Sequence, residues 1–313
     1  MSKRQDHMKI IQDSVERTAA RRKLMNMIFT YATIGCVALA MIPLGSILVE
    51  VVKNGAGVMS IEFLTQPPGS FVPREGESDE ERRERLGGIG PAIQGTIIVV
   101  GLASLIGVPV GVLTGIYLSE YAGESKYARS IRFFNNVMTG LPSIVIGVVG
   151  FVVLVLTIGS FSAVAGAVVL SIIMIPIVVG VTEETLKLVP NSVREAGHSL
   201  GIPKWKVTIF ITLMAAKSGV LTGIVLAMSR IAGETAPLIM TILGTSLFFQ
   251  DFTSPVAALP LMIFRYASIP FPDAQGFAWG AALILILMVL SLSMALRFVV
   301  LKRMRGAAPG LKL

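Results

Sequence analysis

Apolar residues in this chain come in long runs with few or no charges rather than in strict alternation or a narrow helical stripe. The runs are Met27 to Val49, Ile89 to Ser119, Phe133 to Thr157, Phe161 to Val181, Thr208 to about Leu238, and Phe277 to Val300. Each reaches the roughly 20 residues that a helix needs to cross a hydrocarbon layer. Only a helix satisfies all its backbone polar groups within one such segment. The expected fold class is therefore all-α, a polytopic membrane protein of six transmembrane helices. Gly159 and Ser160 are the natural site for a tight turn joining the third and fourth runs into an antiparallel hairpin.

Composition agrees with that reading and narrows it. Hydrophobic residues make up 53% of the chain and charged residues 15%, against about 25% charged in ordinary soluble domains. A secreted disulfide scaffold, a disordered tail and a nucleic-acid reader are excluded, and the single cysteine, Cys36, has no intrachain partner. The net charge of +8 is concentrated between the apolar runs, where basic residues determine orientation. One side collects Lys3, Arg4, Lys9, Arg17, Arg21, Arg22 and Lys23, then Lys126, Arg129 and Arg132, then Lys187, Arg194, Lys204 and Lys206, and finally Arg297, Lys302, Arg303, Arg305 and Lys312. The other holds only Lys53, Arg74, Arg82, Arg83, Arg85 and Arg265. Both termini are thus expected on the cytoplasmic side of the cell membrane, with lipid around the spans.

The first run is too long for a signal-peptide core and no small-x-small site follows it before Glu50 and Lys53, so it reads as an uncleaved anchor. The expected organisation is a basic cytoplasmic segment over residues 1–26 and a single transmembrane domain over 27–313. That domain carries an outer loop at 53–88 and a cytoplasmic loop at 182–207. The outer loop, with Pro67, Pro68 and Pro73 ahead of the charged stretch Glu75 to Arg85, is expected to be solvated, with contact to an extracytoplasmic partner as the sharper alternative.

Catalytic chemistry finds no footing. There is no G-x-x-x-x-G-K-[ST] loop for nucleotide phosphates, no H-E-x-x-H, and no clustered Cys and His for a metal. The two histidines, His7 and His198, are not near an intramembrane polar cluster. No catalytic residue, metal site or cofactor is expected, and energy for uphill movement must come from another subunit or an ion gradient.

The cytoplasmic loop EETLKLVPNSVREAGHSLGIPKWKVTIFITLM is amphipathic: Val189, Val193, Ala196, Leu200 and Val207 recur near helical spacing, opposite Lys187, Arg194, Glu195 and Lys204. Pro190 and Gly201-Ile202-Pro203 divide it into short helices. Such a helix, held between two spans, can act as a lever; the plainer alternative is a helix lying in the lipid interface. Glu195-Ala196-Gly197, three residues, Gly201, nine residues, then Ile211-Thr212-Leu213 resembles the EAA loop of ABC-importer permeases. Gly197 and Met214 stand where that pattern has alanine and proline. The resemblance implies that Arg194, Glu195, Ala196, Gly197 and Gly201 belong to a docking segment for an ATP-binding subunit, with Gly201 making the tight turn and Arg194 and Glu195 the surface contacts.

The fifth run contains Lys217, Arg230 and Glu234. At about 1.5 Å per residue, Arg230 lies roughly 20 Å beyond Lys217. Lys217 can snorkel to the interface; Arg230 cannot, and a charge at that depth must face water or a partner. Arg230 and Glu234 are four apart and can pair on one helix face, with Gly233 and Pro237 as weak points where the helix can break. A structural ion pair locking two helices is the plain reading. The sharper one is a substrate path for an anion, because a guanidinium presents a planar fork to an oxyanion and keeps its charge at all physiological pH.

SRIAGETAPL at 229–238, Gly140-Leu141-Pro142-Ser143-Ile144-Val145, and Leu259-Pro260 through Ile263-Phe264 and Ala267-Ser268 to Ala278-Trp279 closely resemble the PstA-type permease subunits of phosphate ABC importers. The resemblance implies a type I ABC-importer permease fold, phosphate as cargo, and alternating access driven by ATP hydrolysis elsewhere. It also implies three kinds of partner: a second related permease forming a heterodimer, two ATP-binding subunits, and an extracytoplasmic phosphate-binding protein. The residues themselves leave open another tetrahedral oxyanion such as sulfate, molybdate or a phosphonate, and, as a further class, a membrane enzyme or scaffold.

Overall fold

The computed structural model describes residues 2–72 and 76–306; Met1, Pro73, Arg74, Glu75 and residues 307–313, Lys312 among them, lie outside the described residues, as do the side chains at 2–20, 79, 83, 296, 297 and 299–306. The chain forms two compact units, Met1–Lys53 and Asn54–Leu313. The first lies within helix α1 (Ser2–Ala56), which carries Pro43 in its interior and whose stretch Arg21–Ala56 is long and apolar enough to cross a membrane.

The second unit begins with α2 (Ile61–Thr65), started by Ser60, whose Oγ accepts the Phe63 N–H at 3.0 Å, and α3 (Asp79–Leu86). Then α4 (Gly90–Ile116) runs into a π-helical turn, Tyr117–Tyr121. Next come α5 (Lys126–Gly140) and α6 (Ser143–Gly150), the latter extended by a π turn, Phe151–Val155, and by α7 (Leu156–Ile158). After α8 (Ala163–Lys187) and α9 (Asn191–Ser199), the short α10 (Lys204–Lys206) and a π turn, Val207–Thr212, feed α11 (Leu213–Ala232). The unit closes with α12 (Ala236–Thr241), α13 (Leu259–Ala267) and α14 (Pro272–Gly306).

Among the described residues five helices are long and apolar enough to span a membrane, and Lys126–Gly140 with Ser143–Ile158 makes a sixth crossing when that bent pair is counted as one span. That sixth crossing departs from the expected straight span over 133–157: its two halves are bent by 100°. The cause is local. Leu141 precedes Pro142, is driven out of the helical region to ψ 137, and ends α5. The expected turn is present beyond it, with Gly159 at φ +80 and Ser162 capping α8 through the Ala165 N–H at 3.2 Å.

Helix α8 is the centre of the bundle. Gly107, Gly111 and Gly115 of α4 lie against its Met174, Val178 and Thr182, so closely that a Cβ on Gly111 would sit 2.6 Å from the Val178 Cβ. From the other side Gly219 and Gly223 of α11 meet Thr185 and Val181. Small residues at these spacings let apolar helices approach until backbones nearly touch, which is how dispersion holds membrane helices together.

The outer loop is not a solvated strap. Phe63, Phe71, Leu86 and Ile89 join Tyr266 and Phe277 in a buried cluster, with Phe63 edge-on to Phe277 at 4.9 Å and Phe71 edge-on to Tyr266 at 4.7 Å. Arg85, almost wholly buried, pairs with Glu77 at 2.6 Å, lies 3.7 Å from Asp273 and donates to the Ser70 carbonyl, while Arg82 also pairs with Asp273. The hydrogen bond to the Glu77 carboxylate holds the Arg85 proton more firmly than usual. Loop and helix ends thus form a folded cap.

Candidate functional site

Helix α11 ends at Ala232 instead of continuing to about Leu238. Gly233 caps it, its N–H bonding the Arg230 carbonyl at 3.2 Å, and the Glu234 N–H bonds the Ile231 carbonyl at 3.2 Å. A new helix, α12, starts at Ala236 with Pro237 in its first turn, where the missing N–H costs nothing. The helix thus breaks between Arg230 and Glu234, and the two make no ion pair with each other. The four-residue pairing expected of an unbroken helix is therefore not formed.

Both side chains instead line one cavity of about 240 Å³, with Arg230 exposed and Glu234 half-buried. Its other walls are Met138, Thr139 and Leu141 at the end of α5, Pro142, Ser143 and Ile146 at the start of α6, and Ile173 and Ile177 of α8. Since Ile173 and Ile177 sit near the middle of α8, Arg230 lies at the middle of the bundle's depth. A mid-depth cavity with room for several waters is what an intramembrane guanidinium requires. Gly147 of α6 sets the wall's position: a Cβ there would be 2.7 Å from the Pro237 Cα, so α6 and α12, the two helices that begin beside the cavity, touch backbone to backbone. The sequence reading singled out Arg230 and Glu234 but gave Thr139 and Ser143 no role; the signal that could have found them is Leu141-Pro142, a helix-breaking pair inside an apolar run.

In the loop between α8 and α11, α9 starts after Pro190, and Glu195, Ala196, Leu200 and Gly201 are exposed. Gly201 has φ +73, and the Ile202 N–H returns to the Gly197 carbonyl at 3.4 Å, a left-handed helix ending that glycine adopts without steric cost. Two residues of the segment face inward. Gly197 is buried where a Cβ would lie 3.0 Å from Ile211 and Val207, so it seats α9 on the start of the α11 rod. Arg194, expected as a surface contact, turns in and pairs with Glu120 at 2.8 Å. A buried carboxylate in reach decides the matter, since it outweighs exposure to water for a guanidinium with that geometry. Nearby, Glu183 holds Arg132 at 2.8 Å and Lys187 at 2.7 Å.

Comparison with known proteins places this geometry. Residues 107–305 match the family model described as "Binding-protein-dependent transport system inner membrane component". A phosphate transport system permease protein PstA of Yersinia pestis is 37% identical over 295 residues, covering 94% of this chain and 96% of that protein. The protein of the same name from Haemophilus influenzae is 41% identical over 251 residues, covering 80% and 85%. Among solved structures, a chain of the MetNI methionine ABC transporter in an inward-facing conformation superposes with a TM-score of 0.56 at 17% identity, over 67% of this chain and 94% of that one.

Proposed function

The chain belongs to the family of inner membrane components of binding-protein-dependent transport systems, and from that premise we propose that it is a transmembrane permease subunit of an ATP-driven phosphate importer. It is a multi-pass transport subunit with the type I ABC-importer permease fold, and ATP hydrolysis belongs to separate subunits. Its relatives named for phosphate transport support inorganic phosphate as cargo over sulfate, molybdate or a phosphonate.

The observation that carries the reading is the Arg230 guanidinium at mid-depth, which makes no ion pair among the described residues and faces a cavity it shares with Glu234. An oxyanion entering that cavity meets a planar fork of donors in a low-dielectric surrounding. Glu234 keeps the net field there close to neutral and so keeps retention weak, which a path requires for release. The break at Gly233 and Pro237 frees backbone groups beside the site, as interrupted helices do where they line a cavity.

In this reading the exposed part of α9, with Glu195, Ala196, Leu200 and the Gly201 turn, docks one of two ATP-binding subunits, and Arg194 and Gly197 hold α9 in place from behind. A second related permease completes the path, and an extracytoplasmic phosphate-binding protein delivers cargo at the outer cap. Both termini are cytoplasmic in the cell membrane, with residues 1–26 a basic segment ahead of the permease domain 27–313. The test is phosphate uptake by the reconstituted complex carrying Arg230→Gln. Uptake should be lost with subunit composition unchanged; undiminished uptake would remove Arg230 from the path.

A further inference from the structure

Cations from three other segments converge on the end of α4. Arg194 of α9 binds Glu120 through Nη2 at 2.8 Å and through Nε at 3.2 and 3.1 Å. Its remaining donors reach the carbonyls of Leu186 at 2.7 Å and Val189 at 2.5 Å and the Asn191 Oδ1 at 3.3 Å, so every N–H of the guanidinium is engaged. On the far side of the Gly201 turn, the Lys204 ammonium stands 4.9 Å above the Tyr121 ring. From α5, Arg132 donates to the Leu118 carbonyl at 3.0 Å while pairing with Glu183. Leu118, Glu120 and Tyr121 all belong to the π-helical turn Tyr117–Tyr121, closed by the Ala122 N–H on the Tyr117 carbonyl at 2.8 Å. Single π turns inside α-helices recur at functional sites.

We propose that this π turn is the junction that passes movement of α9 to the wall of the Arg230 cavity, with Glu120, Arg194 and Arg132 as positioning residues. The proposal rests on the reading of α9 as the ATPase-docking segment. It adds a route that the flanking spans do not supply. The Glu120–Arg194 pair is only 6% and 17% exposed, so water does not screen it and breaking it leaves a charge stranded. Lys204 holds the same turn from beyond Gly201, and α9 cannot swing without carrying the turn along. What the turn carries is α5: Arg132 ties α5 to it, and Met138, Thr139 and Leu141 at the end of α5 are cavity wall. Displacing α9 therefore moves the end of α5 relative to Arg230, which stands on another helix.

Spatial continuity alone does not establish coupling; the ratio of phosphate moved to ATP hydrolysed does. The full complex, reconstituted in vesicles with saturating loaded delivery protein, is compared for wild type, Glu120→Gln, Arg132→Gln and the double variant. The expected result is that each single variant keeps the ATP-binding subunits and hydrolyses ATP, yet moves about tenfold less phosphate per ATP. The double variant should do no worse than either single one, because both act on one route. Arg194→Lys, which keeps a charge opposite Glu120, should fall between and provides the same readout if Glu120→Gln does not assemble. An unchanged phosphate-to-ATP ratio in the variants would overturn the proposal, as would uptake that falls only in proportion to the amount of complex recovered. A wild-type complex without ATP-driven phosphate uptake would instead overturn the functional reading itself.

Discussion

Gly147 and Pro237 touch backbone to backbone: a Cβ on Gly147 would lie 2.7 Å from the Pro237 Cα. The contact joins α6 to α12 beside the cavity that Arg230 and Glu234 line. Gly147→Ala must therefore separate the two helices, at a cost of about 1–3 kcal/mol for overpacking. Gly101→Ala is the matched control, because a Cβ there meets nothing within 4 Å. Thermal unfolding of the purified complex should show a lowered Tm for Gly147→Ala and none for Gly101→Ala; equal values would mean that the contact does not set the helix positions.

Adjacent residues on α9 should separate stability from docking. Arg194→Ala strands Glu120 in a buried position, which costs about 3 kcal/mol and lowers Tm. Glu195→Ala touches an exposed side chain and should cost less than about 0.5 kcal/mol while reducing the ATP-binding subunit recovered on co-purification. The reverse pattern would contradict the inward assignment of Arg194.

In the cap, Arg85→Met removes the ion pair that Arg85 makes with Glu77, in which both side chains are largely buried. The expected cost is about 3 kcal/mol, confined to the cap. Amide exchange over residues 62–72 and 80–88 should speed up while that of α8 stays unchanged. Uniform acceleration, or none, would show that Arg85 does not pin the cap.

The loop between α12 and α13 carries a pH-sensitive element. Asp251 accepts from the Ser254 and Thr253 hydroxyls and the Thr253 N–H, and these bonds to its charged form lower its pKa from 3.8 to about 2. A depressed carboxylate stabilises the loop above the unfolded value and loses that contribution as pH falls through about 2. Protection of the Thr253 amide should thus persist at pH 4 and vanish near pH 2, and Asp251→Asn should weaken it at pH 4 and above. Protection that is independent of pH would refute the assignment.

The spans, the Gly159 turn and the all-α class were legible because each is written in one contiguous stretch of sequence. The bend at Leu141-Pro142 was hidden by the apolar character of both halves, although a residue before proline already disfavours the helix there. Arg194 and Glu195 both fall on the polar side of α9 by spacing. Which one faces inward is decided by Glu120, 74 positions away, and no local periodicity reports that. The cap was illegible for the same reason: Arg82 and Asp273 are 191 positions apart. The charged pair in the fifth run was legible as chemistry but not as geometry, since an intact helix would have let the two pair and the Gly233 break does not.

The central claim is that the cavity beside Arg230 lies on the anion path. Ser143 is half-buried in its wall, so Ser143→Cys, in a chain whose single cysteine is replaced as Cys36→Ser, puts a thiol there. The rate of labelling by a small anionic thiol reagent is then measured in the assembled complex with and without phosphate. The account predicts that phosphate slows labelling, that chloride does not, and that adding Arg230→Gln abolishes the protection. Labelling indifferent to phosphate in the complex that retains Arg230 would contradict it.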